Sequence, residues 1–273
     1  CCSIKHLEMI SKPLIIYSIG YNRFRNQEEF DDIFFEHIRL TADKAAFFSV
    51  RNIGSKKALM KYNIPEEKIV VNHCPSLFYK PKIKRYHRGK SINIGINLAG
   101  DRAHLRFAKE SFYDSLRRAI KDIREKGYEL HFFNHNWNPQ SNCQDLIDSI
   151  PNRKSVHDIE TMWNRNDIDS AINLYMSMDL IIAMRGHSQM IPFGQGKKVI
   201  SLISHDKLSW FLEDVNMEDT GVDVNDGDLV SRLISLIDDT INSKDYPARQ
   251  ERAMDKLRSM HLENNRKIRG LVL

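Results

Sequence analysis

Long hydrophobic runs and paired cysteines are both missing from this 273-residue chain, and each absence excludes a class of protein. No apolar run approaches the roughly 20 residues that a membrane-spanning helix needs. The four cysteines are scattered and form no C-x-x-C pair, which argues against a disulfide framework and against a structural zinc site. The amino terminus also lacks the apolar core of a signal peptide. We therefore expect a cytoplasmic protein without an integral membrane segment.

The charge balance does not favour nucleic acid as a partner. The formal net charge is only +5, and the positive residues concentrate between residues 80 and 90. A solvated linker explains this cluster most simply, and contact with a membrane surface or another polyanion is the alternative. A hydrophobic content of 41% is enough for one large core or two modest ones.

Strand-length apolar runs alternate with helical patterns along the chain, which predicts an α/β fold with parallel sheets. The predicted strands are residues 14–19, 45–50, 69–71, 92–97, 129–133, 179–184 and 199–203. The segment 156–169 shows neither pattern clearly. Two lobes with a cleft between the carboxyl ends of their strands are the simplest arrangement.

The predicted lobes divide the chain near the basic cluster. We assign residues 1–82 to an amino-terminal α/β lobe and 83–90 to a basic linker. Residues 91–243 form a Rossmann-like carboxyl-terminal lobe in this prediction, and 244–273 a helical tail. The sequence indicates no particular oligomeric state.

The most informative stretch is Arg185-Gly186-His187, which directly follows the buried apolar run 179–184. Ser188 is predicted to cap the helix that follows. Ligands bind at this edge of open α/β sheets, and the amino end of a helix favours anions. We therefore predict that Arg185 contacts an anionic substrate and that His187 carries out proton transfer. The alternative is structural: Arg185 pairs with a carboxylate and His187 caps the helix.

A similar arrangement occurs in the first lobe, where Arg51 ends a predicted strand and Ser55 follows four residues later. A guanidinium group can hold a carboxylate or phosphate through two hydrogen bonds, and Ser55 is predicted to cap the next helix. The two residues therefore resemble half of an anion clamp. A surface arginine beside an ordinary helix cap is the alternative.

Polar residues also follow other strands of the second lobe. Asn97 and His135 end two of its predicted strands, where their side chains suit a sugar or another hydroxyl-rich ligand. His205 and Lys207 follow the strand 199–203 and are expected at the same edge as Arg185. For all four residues, a purely structural role in a loop is the alternative interpretation.

Taken together, these motifs resemble the polysaccharide pyruvyl transferase family over about residues 12 to 240. The resemblance is carried by the Ser-x-Arg element that ends at Arg51, by Ser55, and by the run 178–187 with its Arg-x-His element, then by Gly194 and Lys207. It implies a two-lobed architecture similar to GT-B glycosyltransferases. The glycine-rich segment that precedes the first strand in this family has no counterpart here, so we expect an incomplete first lobe.

The resemblance also implies an activity. Members of the family move an enolpyruvyl unit from phosphoenolpyruvate onto two sugar hydroxyls, which gives a pyruvate ketal and phosphate. His187 would then be the catalytic acid or base, and Arg185 and Arg51 would hold phosphoenolpyruvate, with assistance from Lys207. The expected partners are phosphoenolpyruvate and a glycan or lipid-linked sugar acceptor, with no cofactor and no metal. A GT-B glycosyltransferase using a nucleotide sugar and a non-catalytic carbohydrate-binding relative are the alternatives.

Overall fold

A computed structural model describes residues 3–82, 91–151 and 155–272 of the chain. The predicted basic linker, residues 83–90, lies outside the described residues. The division of the chain into lobes at that linker stays a prediction. Within the described residues, no helix is both long and apolar enough to cross a membrane.

The first part of the chain forms a three-stranded parallel sheet in the order β1-β2-β3. Its strands are β1 Leu14–Ile19, β2 Ala45–Val50 and β3 Ile69–Val71, and its helices are α1 Ile4–Met9, α2 Asp32–Lys44 and α3 Ile53–Met60. Phe48, Val50 and Ile69 are buried together with Leu59 of α3 and form the centre of this small core.

The second part forms a six-stranded parallel sheet in the order β6-β5-β4-β7-β8-β9. The strands are β4 Asn93–Asn97, β5 Glu129–Asn134, β6 Ser155–Asp158, β7 Leu180–Ala183, β8 Lys198–Ile203 and β9 Gly221–Asp223. This is the Rossmann order, and it reverses direction between β4 and β7, where such sheets bind ligands. The predicted Rossmann-like fold of this part is therefore confirmed.

Helices cover both faces of the six-stranded sheet. They are α4 Lys109–Glu125, α5 Gln144–Asp148, α6 Ile159–Asn164, α7 Ile168–Met176, α8 Gly186–Gly194, α9 Asp206–Val215, α10 Leu229–Asn242 and α11 Tyr246–Val272. Leu116 of α4 and Leu233 of α10 are buried in one core cluster, and Tyr175 of α7 and Phe211 of α9 are buried in another. The β7 strand contributes to both clusters, which explains its uninterrupted apolar sequence.

The sequence prediction differs from the structure at the two edges of this sheet. The strand β6 alternates between half-buried and exposed residues, and β9 is only three residues long, so neither presents an apolar run. At the carboxyl end of the chain, the helix α11 continues to Val272. Near its carboxyl end, Asn264 donates a hydrogen bond to the carbonyl of Val71 at 2.9 Å, so α11 reaches back to the first sheet.

Both predicted helix caps are also wrong. Asn52 caps α3 by accepting a hydrogen bond from the backbone N–H of Ser55 at 2.7 Å, so Ser55 lies inside the helix. The helix α8 begins at Gly186, and Ser188 lies in its first turn. The Ser188 hydroxyl still contributes to this end of the helix, because it accepts from the backbone N–H of Arg185 at 3.2 Å.

Candidate active site

Cationic side chains from both sheets gather where the strands end. Arg51 follows β2, Arg185 follows β7, and Lys207 lies in the first turn of α9 after β8. Arg106, which the sequence prediction did not include, joins them from the segment between β4 and α4. The positive charges of the three arginines act on Lys207, and we call this group of four residues the cationic cleft: Arg51, Arg106, Arg185 and Lys207.

The pKa of Lys207 reflects how close these charges are to one another. Burial and, to a smaller extent, the positive charges of Arg51, Arg106 and Arg185 lower the pKa of its amine to about 8, although Asp101 opposes them. The Nζ atom donates a hydrogen bond to Oδ1 of Asn22, in the loop after β1, at 3.0 Å. Lys207 thus connects the second sheet to a loop of the first.

Asp101 lies between two arginines of the cationic cleft. Its carboxylate is 2.8 Å from the guanidinium of Arg106 and 2.5 Å from that of Arg185. Burial raises the pKa of this carboxyl, but the two guanidinium groups outweigh that effect and the pKa is lowered overall. Arg185 also donates to the carbonyl of Ser141. The predicted alternative, in which Arg185 pairs with a carboxylate, therefore describes part of what this residue does.

Arg51 pairs with no carboxylate in the described part of the chain. Its guanidinium packs directly on Gly20, and a Cβ atom at that position would overlap Nε, so any other residue type would have to displace the arginine. Burial lowers the pKa of Arg51, and only the nearby Cys74 opposes this shift. Burying a guanidinium group without a charged partner costs free energy, and a bound anion would offset this cost.

His187 lies two residues after Arg185, exposed in the first turn of α8. Its Nε2 atom is 3.9 Å from Sγ of Cys74, which follows β3. Burial raises the pKa of this thiol, but hydrogen bonds with His187 and Ser76 outweigh burial and bring the pKa down to about 7. The pair joins an imidazole, which can transfer protons, to a readily ionised thiol.

Three of the predicted binding residues use their polar groups within the protein. Asn97 donates to the carbonyl of Phe133 at 2.8 Å and accepts from the Ser188 hydroxyl at 2.7 Å. The Ser55 hydroxyl accepts from the backbone N–H of Tyr21 at 3.1 Å, which fixes the loop after β1. His135 contacts the hydroxyl of Tyr175, and burial lowers its pKa well below the usual value. These side chains therefore support the site through contacts within the protein.

His205 is buried at the amino end of α9, where its Nδ1 atom accepts from the backbone N–H of Lys207 at 3.2 Å. Burial, assisted by the charges of Lys207 and Arg106, lowers its pKa to about 3. The ring is therefore neutral at physiological pH. Its centroid lies 4.8 Å from that of Phe24, a residue of the loop after β1 whose ring also packs against the guanidinium of Arg106.

The residues that the sequence prediction missed are Cys74, Asp101, Arg106 and Trp163. The ring centroid of Trp163 lies 6.4 Å from that of His187. Cys74 and Asp101 each follow a strand. The rule that ligands bind at the carboxyl ends of the strands, which selected Arg185, could therefore have found them as well. Arg106 and Trp163 lie several residues beyond a strand, in segments without a clear pattern, and only the fold brings them to the site.

The comparison with known families decides what kind of protein carries this site. A model of the polysaccharide pyruvyl transferase family matches residues 7–206, more than half of the chain. The chain belongs to this family. The resemblance in the sequence motifs is thereby confirmed. No curated protein gives a significant match to this pyruvyl transferase family member.

Solved structures share the fold of this pyruvyl transferase family member at low identity. TarM from S. aureus is 12% identical with a TM-score of 0.60, over 94% of this chain and 50% of TarM. Anabaena HepE is 12% identical with a TM-score of 0.58, over 95% and 71%. A putative UDP-N-acetylglucosamine 2-epimerase from Listeria monocytogenes is 18% identical with a TM-score of 0.54, over 78% and 55%.

These likenesses establish the fold alone, and they confirm the predicted GT-B-like architecture of two Rossmann-like lobes. The chain spans about half the length of the epimerase and of TarM.

Proposed function

We propose that this family member transfers a pyruvyl unit from phosphoenolpyruvate to two hydroxyls of a sugar in a polysaccharide or its precursor. The observation that carries the proposal is the cationic cleft, in which the charges of Arg51, after a strand of one sheet, and of Arg185, after a strand of the other, act on Lys207. His187 lies two residues after Arg185. A small acid with a carboxylate and a phosphate needs at least two cationic groups, and charge-assisted hydrogen bonds from arginine are well suited to both.

The distribution of charge indicates which residues would bind the phosphate of phosphoenolpyruvate and which its carboxylate. Arg51 has no carboxylate partner among the described residues, and Lys207 is bonded to the neutral amide of Asn22. These two residues carry the least compensated charge and would hold the phosphate. Arg185 is already partly neutralised by Asp101 and would hold the carboxylate.

His187 would supply the proton that starts the reaction. Its imidazolium protonates the methylene carbon of phosphoenolpyruvate, which leaves an oxocarbenium-like centre at the adjacent carbon. One sugar hydroxyl attacks that carbon and returns its proton to His187. Attack by the second hydroxyl then breaks the bond to the phosphate oxygen, and its proton leaves with inorganic phosphate. The cationic cleft stabilises the departing phosphate.

Two other functions use the same fold. A nucleotide-sugar glycosyltransferase is favoured by the likeness to HepE, which was solved in complex with UDP and glucose. A non-catalytic carbohydrate-binding protein would keep the cleft without turnover. Neither alternative requires an ionisable His187 beside cationic groups from both sheets.

Release of inorganic phosphate from phosphoenolpyruvate tests the proposal. We expect release that depends on added sugar or lipid-linked sugar, and formation of a pyruvate ketal on that sugar by mass spectrometry. His187→Ala should lower the rate by about 100-fold or more, because general acid catalysis typically contributes 10²- to 10⁴-fold. His104→Ala is a matched control, since His104 lies in the short 3-10 turn Ala103–Leu105 and has no role in this scheme. Retention of more than about a tenth of the rate in His187→Ala would remove His187 from the chemistry.

A further inference from the structure

A second recess lies beside His187, and none of the four cationic cleft residues lines it. It has a volume of about 310 Å³, at the lower end of the range of about 300 to 1,000 Å³ that is typical of small-molecule sites. Most of its wall is aromatic or aliphatic and is formed by Tyr79, Trp163, Ile168, Ile172 and Ile191. We call it the aromatic pocket.

The polar atoms of the aromatic pocket lie at one end. His187 and Ser76 contribute to its wall, and the Ser76 hydroxyl is 3.1 Å from Sγ of Cys74. Cys74 in turn contacts His187, so this end of the pocket adjoins the thiol–imidazole pair. A ligand in the pocket would therefore present one edge to the imidazole that is proposed to act on phosphoenolpyruvate.

The remaining wall consists of aromatic and aliphatic side chains and offers few hydrogen-bonding groups. The Tyr79 hydroxyl is already bonded to Oδ1 of Asp169 at 3.1 Å, so it holds the wall in position. The ring of Trp163 is nearly perpendicular to the imidazole of His187, with the two centroids 6.4 Å apart. It also packs edge-on against His135, at 5.0 Å, which fixes its orientation.

This distribution matches a pyranose ring, which has one face of C–H groups and a rim of hydroxyls. The C–H face would lie against the electron-rich face of an indole, and the hydroxyls would reach His187 and Ser76. The lining residues of the pocket include no cationic group apart from His187. The phosphates of a nucleotide would therefore lie there without a charged partner. The pocket thus differs in chemistry from the cationic cleft.

We propose that the aromatic pocket is the binding site for the acceptor sugar, with the sugar ring against Trp163 and its hydroxyls directed at His187. The assignment rests on the proposed function, since it takes His187 as the group that both substrates must reach. Phosphoenolpyruvate would approach His187 from Arg51 and Lys207, and the sugar from Trp163.

Saturation-transfer NMR with three probes tests the assignment: methyl β-D-galactopyranoside, methyl β-D-glucopyranoside and methyl α-D-mannopyranoside. At least one of them should receive saturation on its ring protons in the wild-type protein and lose it in Trp163→Ala. Trp137→Ala is the matched control, because this tryptophan is 80% exposed and does not line the pocket. In turnover, Trp163→Ala should raise the KM for the sugar about tenfold with the KM for phosphoenolpyruvate unchanged.

Ile168→Glu provides a second variant that leaves the core intact, because Ile168 is 41% exposed at the pocket wall. It should also abolish the signal. The assignment is overturned if none of the three probes binds, or if both pocket variants keep the signal, or if Trp137→Ala loses it equally. Sugar binding is measured without phosphoenolpyruvate, so failure of the proposed reaction would leave this readout in place and the two failures can be told apart.

Discussion

The Sγ atom of Cys74 lies 3.9 Å from Nε2 of His187, so the end of β3 meets the first turn of α8 at a thiol–imidazole contact. These residues follow strands of different sheets and are 113 positions apart in the sequence. The contact places a thiol with a pKa of about 7 near both Arg51 and the residue proposed to protonate phosphoenolpyruvate. Chemical modification of Cys74 can therefore report on the packing between the two parts of the chain.

Alkylation of Cys74 should report this contact. With Cys1 and Cys2 replaced by serine, iodoacetate should modify Cys74 at pH 7.5, and phosphoenolpyruvate should protect it. Cys143 is the internal control, because burial raises the pKa of its thiol to about 11. In His187→Ala the alkylation midpoint should rise by about one pH unit or more, because a hydrogen bond that lowers the pKa is lost while the effect of burial remains. Peptide mass spectrometry over a pH series measures both effects, and an unchanged midpoint in His187→Ala would contradict the contact.

Arg51→Lys should weaken binding of phosphoenolpyruvate by about tenfold, because an ammonium group cannot reproduce the two-pronged hydrogen bonding of guanidinium. Isothermal titration calorimetry measures the affinity. Arg39→Lys is the control, since Arg39 lies on the exposed part of α2 and donates to the carbonyl of Phe35. Pyruvate lacks the phosphate, so its affinity should change less than that of phosphoenolpyruvate. Equal affinity of the wild-type and Arg51→Lys proteins for phosphoenolpyruvate would place Arg51 outside the site.

The Lys207 amine should make binding of phosphoenolpyruvate dependent on pH. Its pKa is about 8 in the free protein, and a bound anion would raise it. Affinity should therefore be nearly constant below pH 8 and fall above pH 8, by up to about tenfold per pH unit, until the pKa of the complex is passed. Lys207→Met should bind more weakly and show no such fall. A wild-type affinity that is flat from about pH 7 to 9.5 would show that this amine does not contact the ligand.

A substitution of Gly54 tests the packing of α3 against α9. A Cβ atom at this position would overlap the indole of Trp210 on α9, so even alanine requires the helices to separate. Gly54→Ala should lower the free energy of unfolding by about 1 to 3 kcal/mol, as overpacking usually does. Trp210→Leu in the same protein should restore part of the loss. Urea denaturation measures both proteins, and an unchanged stability in Gly54→Ala would contradict this packing.

Much of the fold could be predicted from the sequence because seven strands are short, mainly apolar runs bounded by polar turns. The prediction failed where this signal is absent, since β6 is half exposed and β9 is only three residues long. The helix caps were misplaced because Asn52 and Ser55 are both good capping residues, and only the backbone geometry shows that α3 begins after Asn52.

The candidate site was predictable only in part. Arg185 and His187 closely follow a buried strand. The sequence alone therefore places them at the carboxyl ends of the strands, where open α/β sheets bind ligands. Trp163 has no comparable local signal, because it lies on the short helix α6 in a segment with no clear periodicity. The position of Asp101 between Arg106 and Arg185 depends on three side chains meeting in space, which no spacing along the chain indicates.

The most direct test of the cationic cleft is a calorimetric titration of the wild-type protein with phosphoenolpyruvate and, separately, with UDP. We predict that phosphoenolpyruvate binds, that the binding is lost in the double variant Arg51→Met with Lys207→Met, and that UDP gives no heat. Binding of UDP without binding of phosphoenolpyruvate would contradict the proposed reaction and favour a nucleotide-sugar glycosyltransferase.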